Sequence, residues 1–257
     1  MLQINYIGRF GNNLCQYVFG RLLAARNNLK LVTEWNHPEM LEFTSNPDGT
    51  IEGEVFKIKE DGTPNPNLHW LEVDLKNKNV QIKGYFQHCK FYDENKAEIL
   101  SWLKNLPPIT AGHENDVVCH LRLDDYDVTG GVPIVDQSWY ADILRGEPGK
   151  KVYFVVEQPK KDWERKYMLV LEGMMQGRPF EVVSGTAYDD FHFLRQFGVI
   201  VASNSSFAWW AAWLSNAKRI YTFKRWRLNS TEIALAVAKG MTPTDGKYVW
   251  ERDPNWQ

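Results

Sequence analysis

Predicted strands and helices alternate regularly through residues 117–223 of this chain. Each short apolar run is followed by a polar loop and then by a helical segment with apolar spacing. The predicted strands lie at residues 117–120, 151–157, 180–183, 199–202 and 219–223. Strands joined by helices at this spacing favour a parallel, doubly wound sheet. Ligands bind such sheets at the carboxyl ends of the strands, so we expect the chemistry in the loops that follow them.

A second α/β unit precedes this region. It is predicted as a strand at 2–7, a helix at 13–26 and a strand at 29–34. The helix has one apolar stripe, formed by Leu14, Val18, Leu22 and Ala25. Residues 36–83 contain turn clusters and short strands, which indicate a β-rich insertion.

A proline-containing segment, Leu106-Pro107-Pro108, separates the two units. Prolines end a helix and stiffen a connection, so this segment is the predicted linker. We therefore predict an N-terminal domain at residues 1–106 and a C-terminal domain at 109–257. The aromatic tail at 248–256 is expected to pack back on the N-terminal domain.

Charge and cysteine content exclude several classes of protein. The 257 residues include 30 basic and 32 acidic side chains, a formal net charge of −2, which provides no field for nonspecific binding of nucleic acid. Three cysteines, Cys15, Cys89 and Cys119, lack metal-ligand spacing and indicate reduced interior thiols. No signal peptide or membrane span is indicated, so we expect a cytoplasmic protein.

The turn after the predicted strand at 199–202 is the clearest candidate for anion binding. Ser203 and Asn204 lead through Ser205 and Ser206 into Phe207 and an aromatic helix. The N–H groups and the dipole of a first helical turn attract an anion such as phosphate. The same residues are also good helix caps, so the pattern alone leaves a purely structural interpretation open. Asp190 also has two interpretations. It is either a helix cap or an acceptor of hydrogen bonds from the edge of a nucleotide base.

Two further loops carry polar groups at predicted strand ends. His120 and Arg122 follow the strand at 117–119, and strand alternation points both side chains to the same side. Arg122 also has a structural alternative, a surface ion pair with Asp124 or Asp125. The loop at residues 8–13, Gly-Arg-Phe-Gly-Asn-Asn, has two glycines that allow backbone to approach a ligand, or that simply form a turn.

These motifs together resemble a known enzyme family. The run SNSSFAWWAAWLS at 203–215 is similar to the C-terminal signature of α-1,2-fucosyltransferases, and HLRLDDY at 120–126 resembles their His-x-Arg-Arg-x-Asp-Tyr motif. GYFQ at 84–87 resembles another landmark of that family, and GRFGNN at 8–13 resembles the opening motif of protein O-fucosyltransferases.

The resemblance implies a fold, a reaction and roles for residues. The implied fold is two Rossmann-like domains that face each other across a cleft, called GT-B. The implied reaction is metal-independent and inverting transfer from GDP-fucose to a glycan hydroxyl, with no cofactor. Donor-binding positions would be His120, Arg122, Asp190, Asn204, Ser205, Ser206 and Phe207, and catalytic positions Arg122, Asp125, Arg9 and Asn12.

Two departures from the family pattern bear on the donor. Leu123 stands where the motif has a second arginine, and Asp124 stands where the motif has glycine. An alternative is therefore a glycosyltransferase of the same fold that uses another nucleotide sugar. A non-catalytic module that binds nucleotide sugars or glycans is the other alternative.

Overall fold

A computed structural model describes most of the chain in two compact units, Met1–Pro107 and Pro108–Gln257. The described residues are 1–34, 38–40, 44, 49–60, 73–87, 89–103, 106–110, 112–123, 134–147, 151–222 and 249–251. Side chains of residues 39, 89–91 and 249–251 are not described. Within these ranges, no helix is both long and apolar enough to cross a membrane.

The first unit is built on a four-stranded parallel sheet. Its strands are β1 (Leu2–Ile4), β2 (Leu31–Thr33), β3 (Phe56–Lys59) and β4 (Val80–Lys83), arranged in the order β2-β1-β4-β3. The helices of this unit are α1 (Phe10–Asn27), α2 (Cys89–Glu94) and α3 (Lys96–Trp102), with one 3₁₀ turn at Pro38–Met40.

The segment predicted as an insertion contributes two strands to this sheet. β4 pairs with β1 along residues 80–82, and β3 pairs in parallel with β4 along its whole length. These residues are therefore part of the sheet rather than an excursion from it. Ile58 and Ile82 are both fully buried, so the burial of apolar side chains explains why these short strands join the sheet.

Helix α1 packs closely on β1 and β4. Leu14, Val18 and Leu22 are fully buried, as the apolar stripe predicted, whereas Ala25 is exposed and Ala24 is buried in its place. Gly20 faces Ile4 and Ile82, where a Cβ atom would lie within 3.0 Å of both side chains. The absence of a side chain at Gly20 thus lets the helix approach the sheet closely.

The second unit is built on a six-stranded sheet. Its strands are β5 (His113–Leu121), β6 (Val152–Val156), β7 (Phe180–Val183), β8 (Phe197–Val201), β9 (Arg219–Tyr221) and β10 (Val249–Glu251). Their order is β10-β9-β8-β5-β6-β7, and every described pair is parallel except β10 with β9. Four helices connect them: α4 (Gln137–Arg145), α5 (Asp162–Met174), α6 (Ala187–Leu194) and α7 (Ser206–Trp213). The predicted α/β class with parallel, Rossmann-like sheets is confirmed.

The described part of the C-terminal tail lies in the second unit. Residues 249–251 form β10 and extend the sheet beyond β9. This pairing satisfies backbone groups at the edge of β9. The rest of the tail lies outside the described residues, so its packing on the first domain stays a prediction.

The core of the second unit lies on both faces of β5, β6 and β8. Helix α7 is apolar nearly all round and its residues Ala208–Trp213 are buried, with Trp210 and Trp213 almost inaccessible to solvent. The predicted interior thiols agree with the structure for Cys15 and Cys119, which are free and buried. The side chain of Cys89 lies outside the described residues.

We expect Gly198→Ala to destabilise the second unit by about 3 kcal/mol, because overpacking at a rigid backbone contact forces strands apart. The register of β5 against β8 shifts between His113 and Val117, and at this irregularity a Cβ atom on Gly198 would overlap the carbonyl oxygen of Glu114. Chemical denaturation followed by circular dichroism measures the effect.

The matched control is Gly173→Ala in α5, where an added Cβ atom meets nothing within 4 Å. There the same substitution should stabilise the protein by up to about 1 kcal/mol, through helix propensity. Equal effects at the two positions would contradict this account of Gly198.

Candidate active site

The second sheet has a topological switch point between β5 and β8. From β5 the chain continues to β6 and β7 on one side, and it returns to β8 on the other side. The paired ends of β5 and β8, where Cys119 lies opposite Val201, therefore lie at this switch point. Open α/β sheets bind their ligands at such a point.

His120 lies near the end of β5 and joins it to the end of β8. Its Nδ1 atom lies 2.7 Å from the hydroxyl oxygen of Ser203, and both side chains are buried. The hydroxyl of Tyr140 on α4 donates to the backbone carbonyl of His120 at 2.9 Å. The first hydrogen bond holds the imidazole against the turn after β8, and the second holds the backbone of the strand end against α4.

The imidazole of His120 is neutral in the folded protein. Burial, together with the positive charge of the neighbouring Arg122, lowers its pKa to about 3. Arg122 itself is half-buried and follows β5 directly. A neutral hydrogen-bonding ring and a guanidinium thus lie together at the switch point, as strand alternation predicted.

The turn after β8 leads into α7 at the same edge of the sheet. Ser205 N donates to Ser203 O at 2.8 Å, and Ser205 takes the N-cap position of α7 without a capping bond from its side chain. Asn204 and Ser205 are buried, whereas Ser206 is half-buried. The first turn of α7 therefore begins beside the end of β8, with the geometry expected of an anion-binding helix N-terminus.

Phe207 connects this turn to two other elements of the site. Its half-buried ring has its centroid 5.4 Å from that of His120 and 5.5 Å from that of Phe191 on α6. Phe207 therefore lies at the edge of the sheet beside His120. It forms an aromatic wall there.

Asp190 lies in the first turn of α6, next to Phe191. One of its carboxylate oxygens accepts a hydrogen bond from Gly185 N at 2.8 Å. The pKa of Asp190 is raised above its ordinary value. Burial is the main cause, the charge of Asp189 acts in the same direction, and the hydrogen bond from Gly185 opposes both. Asp189 itself bonds to the N-cap residue Thr186. These contacts join Asp190 to the loop before α6 and Asp189 to the N-cap of that helix.

The first unit has its own switch point, between β1 and β4. Arg9 is exposed at the N-cap of α1, and Asn12 lies in the first turn of that helix. Gln87, in the turn that follows β4, donates its side-chain N–H to the amide oxygen of Asn12 at 2.7 Å. The motifs at 8–13 and 84–87 are thus brought together, although they lie far apart in the sequence.

Asp125 and the rest of the loop at 124–133 lie outside the described residues, so Asp125 stays a prediction from the sequence. Among the described residues, no three His, Cys, Asp or Glu side chains cluster as metal ligands.

Leu123 is a core residue at the edge of the site. It is 4% exposed and belongs to the apolar cluster that includes Val135 and Trp139. The sequence identified Leu123 only as a departure from the family motif. Its burial shows that the side chain points into the core of the second unit, so this position offers an apolar contact where the motif has a cation.

Sequence reasoning missed several residues that hold the site. Ser203 and Tyr140 orient His120, and Gln16 and Glu60 hold the loops of the first unit. Only one sequence signal pointed to these supporting residues: Ser203 and the motif at 84–87 both lie at predicted strand ends.

Comparison with solved structures places the fold among fucosyltransferases. A GDP complex of a point mutant of Arabidopsis thaliana FUT1 aligns with a TM-score of 0.54 and 10% identity, over 90% of this chain and 72% of that one. NodZ α-1,6-fucosyltransferase, soaked with GDP-fucose, aligns with a TM-score of 0.50 and 14% identity, over 87% and 94%. At such identity the likeness shows a shared fold. No protein-family model and no curated protein sequence matches the chain.

We expect the stability of the protein to fall between pH 7 and pH 5, partly through His120. Its pKa is about 3 in the folded state and about 6.5 when unfolded, so acid protonates the unfolded state first. At pH 5 this costs about 2 kcal/mol. His192, whose pKa burial lowers to about 4, acts in the same direction.

The variant His120→Asn preserves a polar atom near the position of Nδ1 but cannot be protonated. Its loss of unfolding free energy between pH 7 and pH 5, measured by urea denaturation, should be about 2 kcal/mol smaller than that of the wild type. Parallel pH profiles for the two proteins would rule out a buried neutral His120.

Proposed function

We propose that this protein is a glycosyltransferase that moves fucose from GDP-fucose to a hydroxyl group of a glycan. The observation that carries the proposal is the convergence of His120, Arg122 and the Ser203–Phe207 turn at the switch point of a fold shared with GDP-bound fucosyltransferases. Inversion at the anomeric carbon, independence from metal and an α-1,2 linkage are the finer parts of the proposal. They are supported by the motifs at 84–87, 120–126 and 203–215.

The chemistry of the proposed reaction fits these groups. When the bond from fucose to the diphosphate breaks, negative charge develops on the β-phosphate. A site without a metal must stabilise that charge with a guanidinium, hydroxyl groups and helix N–H groups. Arg122 would supply the charge, and Ser205, Ser206 and the first turn of α7 the hydrogen bonds. The neutral ring of His120 and the wall of Phe207 would contact the nucleoside.

The acceptor hydroxyl must lose a proton during an inverting transfer. We propose Asp125, on the sequence motif alone, as a carboxylate that acts on this step directly or through Arg122. Arg9 and Asn12 are proposed as catalytic groups of the first unit that contact the transferred sugar. Asp190 is proposed as a contact to the base, in addition to its bond with Gly185.

A different nucleotide-sugar donor is the second candidate. Leu123 stands where the motif has a second arginine, and its side chain is buried in the core, so this position supplies no cation to the phosphate side of the proposed donor site. The alternative that this observation favours is therefore a nucleotide sugar whose phosphate groups need fewer cationic contacts.

A donor panel distinguishes these candidates. Thermal unfolding is measured with GDP, UDP, GDP-fucose and GDP-mannose, since a ligand that binds the native state raises its stability. We expect stabilisation by GDP and GDP-fucose and none by UDP. Transfer from radiolabelled GDP-fucose to a glycan panel is then measured with and without EDTA, and product linkage is read by NMR. Stabilisation by UDP alone, or turnover lost in EDTA and restored by Mn²⁺, would overturn the corresponding part of the proposal.

We expect Arg122→Ala to lower kcat for fucose transfer by about 10²- to 10³-fold, since one preorganised charge-stabilising group is lost. Arg122→Lys should restore little of this loss, because an ammonium cannot bind two phosphate oxygens in a fork. Arg145→Ala is the matched control, since Arg145 is an exposed residue of α4 that pairs with Asp142. Near-normal turnover in Arg122→Ala, with its melting temperature unchanged, would exclude the proposed role.

A further inference from the structure

Two loops at the switch point of the first sheet are joined by one buried glutamine. The side chain of Gln16 is fully buried on α1. Its Nε2 atom donates to Gly84 O at 2.8 Å and to Ile7 O at 3.0 Å, and its Oε1 accepts from Ile7 N at 3.2 Å. Because both ends of this amide are used, the loop after β1 and the turn after β4 are held at a fixed separation.

The turn after β4 has a second support, from the end of β3. Phe86 has a positive φ of 49°, a conformation that side-chain-bearing residues rarely adopt. Glu60 stabilises it by accepting a hydrogen bond from Phe86 N at 2.5 Å, and the ring of Phe86 stacks on Phe19 at 4.2 Å. This conformation directs the next residue, Gln87, toward α1.

Gln87 and Gly8 hold the side chain of Asn12 from two sides. Gln87 Nε2 donates to Asn12 Oδ1 at 2.7 Å. On the other side, Asn12 Nδ2 lies so close to Gly8 that a Cβ atom there would overlap it. The carbonyl of the Asn12 amide is thereby directed toward Gln87, and its NH₂ group lies on the side of Gly8.

We propose that Gln87 is a positioning residue, which acts through Asn12 by fixing the orientation of that amide for the sugar-transfer step. The proposal rests on the function proposed above, in which Asn12 contacts the transferred sugar. Gln87 itself is half-buried, and within the described part of the chain its side chain makes this one hydrogen bond.

The energy of this contact explains why its effect should appear in rate rather than in stability. One hydrogen bond of a half-buried amide contributes only a small part of the stability of a folded protein. The same bond decides whether Asn12 presents NH₂ or C=O in a given direction, which matters to any group that Asn12 must meet in the transition state. Gln16 and Glu60 support the backbone whether or not Gln87 is present.

The test compares Gln87→Leu, Gln87→Glu and the matched control Gln81→Leu. Gln81 belongs to β4 and makes a similar amide bond, to Gln3 Oε1 at 3.3 Å. Gln87→Leu removes the bond to Asn12. Gln87→Glu keeps the size of the side chain but offers only acceptors, so the Asn12 amide must rotate by half a turn to pair with it.

Four quantities are measured for each variant: kcat, the KM for GDP-fucose, the melting temperature, and the NMR resonances of the Asn12 side-chain NH₂, which are assigned with Asn12→Asp. We expect about a tenfold loss of kcat in both Gln87 variants. The KM for GDP-fucose and the melting temperature should stay close to those of Gln81→Leu. The Asn12 resonances should shift in the Gln87 variants and stay in place in the control.

Three results would overturn the positioning role. The first two are unmoved Asn12 resonances in both Gln87 variants and a kcat equal to that of Gln81→Leu. The third is a large loss of kcat in Gln87→Leu with little loss in Gln87→Glu, because that pattern indicates that Gln87 only fills space. If the wild type transfers no fucose, the proposed function fails, and the resonances still decide whether Gln87 orients Asn12.

Discussion

The hydrogen bond between His120 and Ser203 joins the two strand ends that define the candidate site. It spans β5 and β8, the neighbours at the switch point of the second sheet. Both partners are buried, so neither side chain has bulk water as an alternative, and breaking the bond would leave a buried polar atom unsatisfied. The bond holds the start of the turn into α7 against β5, which brings the first turn of that helix and the ring of Phe207 to the strand end that carries Arg122.

Local sequence patterns predicted the strands and the parallel sheets well. The strand at 180–183 has the bounds that the sequence indicated, because a short apolar run there ends at a polar turn. The membership of β3 and β4 in the first sheet was not predictable, since strand order depends on contacts between distant segments. β5 also begins at His113, ahead of the predicted start at 117. The sequence did not indicate this start, because the first residues of the strand are polar and His113 pairs with the distant Phe197.

The candidate site was also predictable only where it depends on local sequence. Alternation along a strand sufficed to place His120 beside Arg122. The residues that hold the site could not be found from sequence, since His120 and Ser203 are 83 positions apart and Gln16 and Gly84 are 68 apart. Nothing local marks such partners, because a serine or glutamine that completes a buried hydrogen bond looks like any other polar residue until the fold brings its partner close.

The two sheets are held together at their switch points in a similar way. In each, a buried side chain of no net charge spans the switch point: His120 to Ser203 in the second unit, and Gln16 to the two loops in the first. The supports of the second edge, Ser203 and Tyr140, are also uncharged, so the charge of Arg122 is not opposed by the groups that orient His120. The first edge includes a carboxylate support, Glu60, which binds the turn before Gln87. Both edges carry an arginine, the exposed Arg9 in the first unit and the half-buried Arg122 in the second. Removal from water strengthens the attraction between a guanidinium and an anion. This difference in burial is consistent with the proposal that the diphosphate binds at the edge of the second unit.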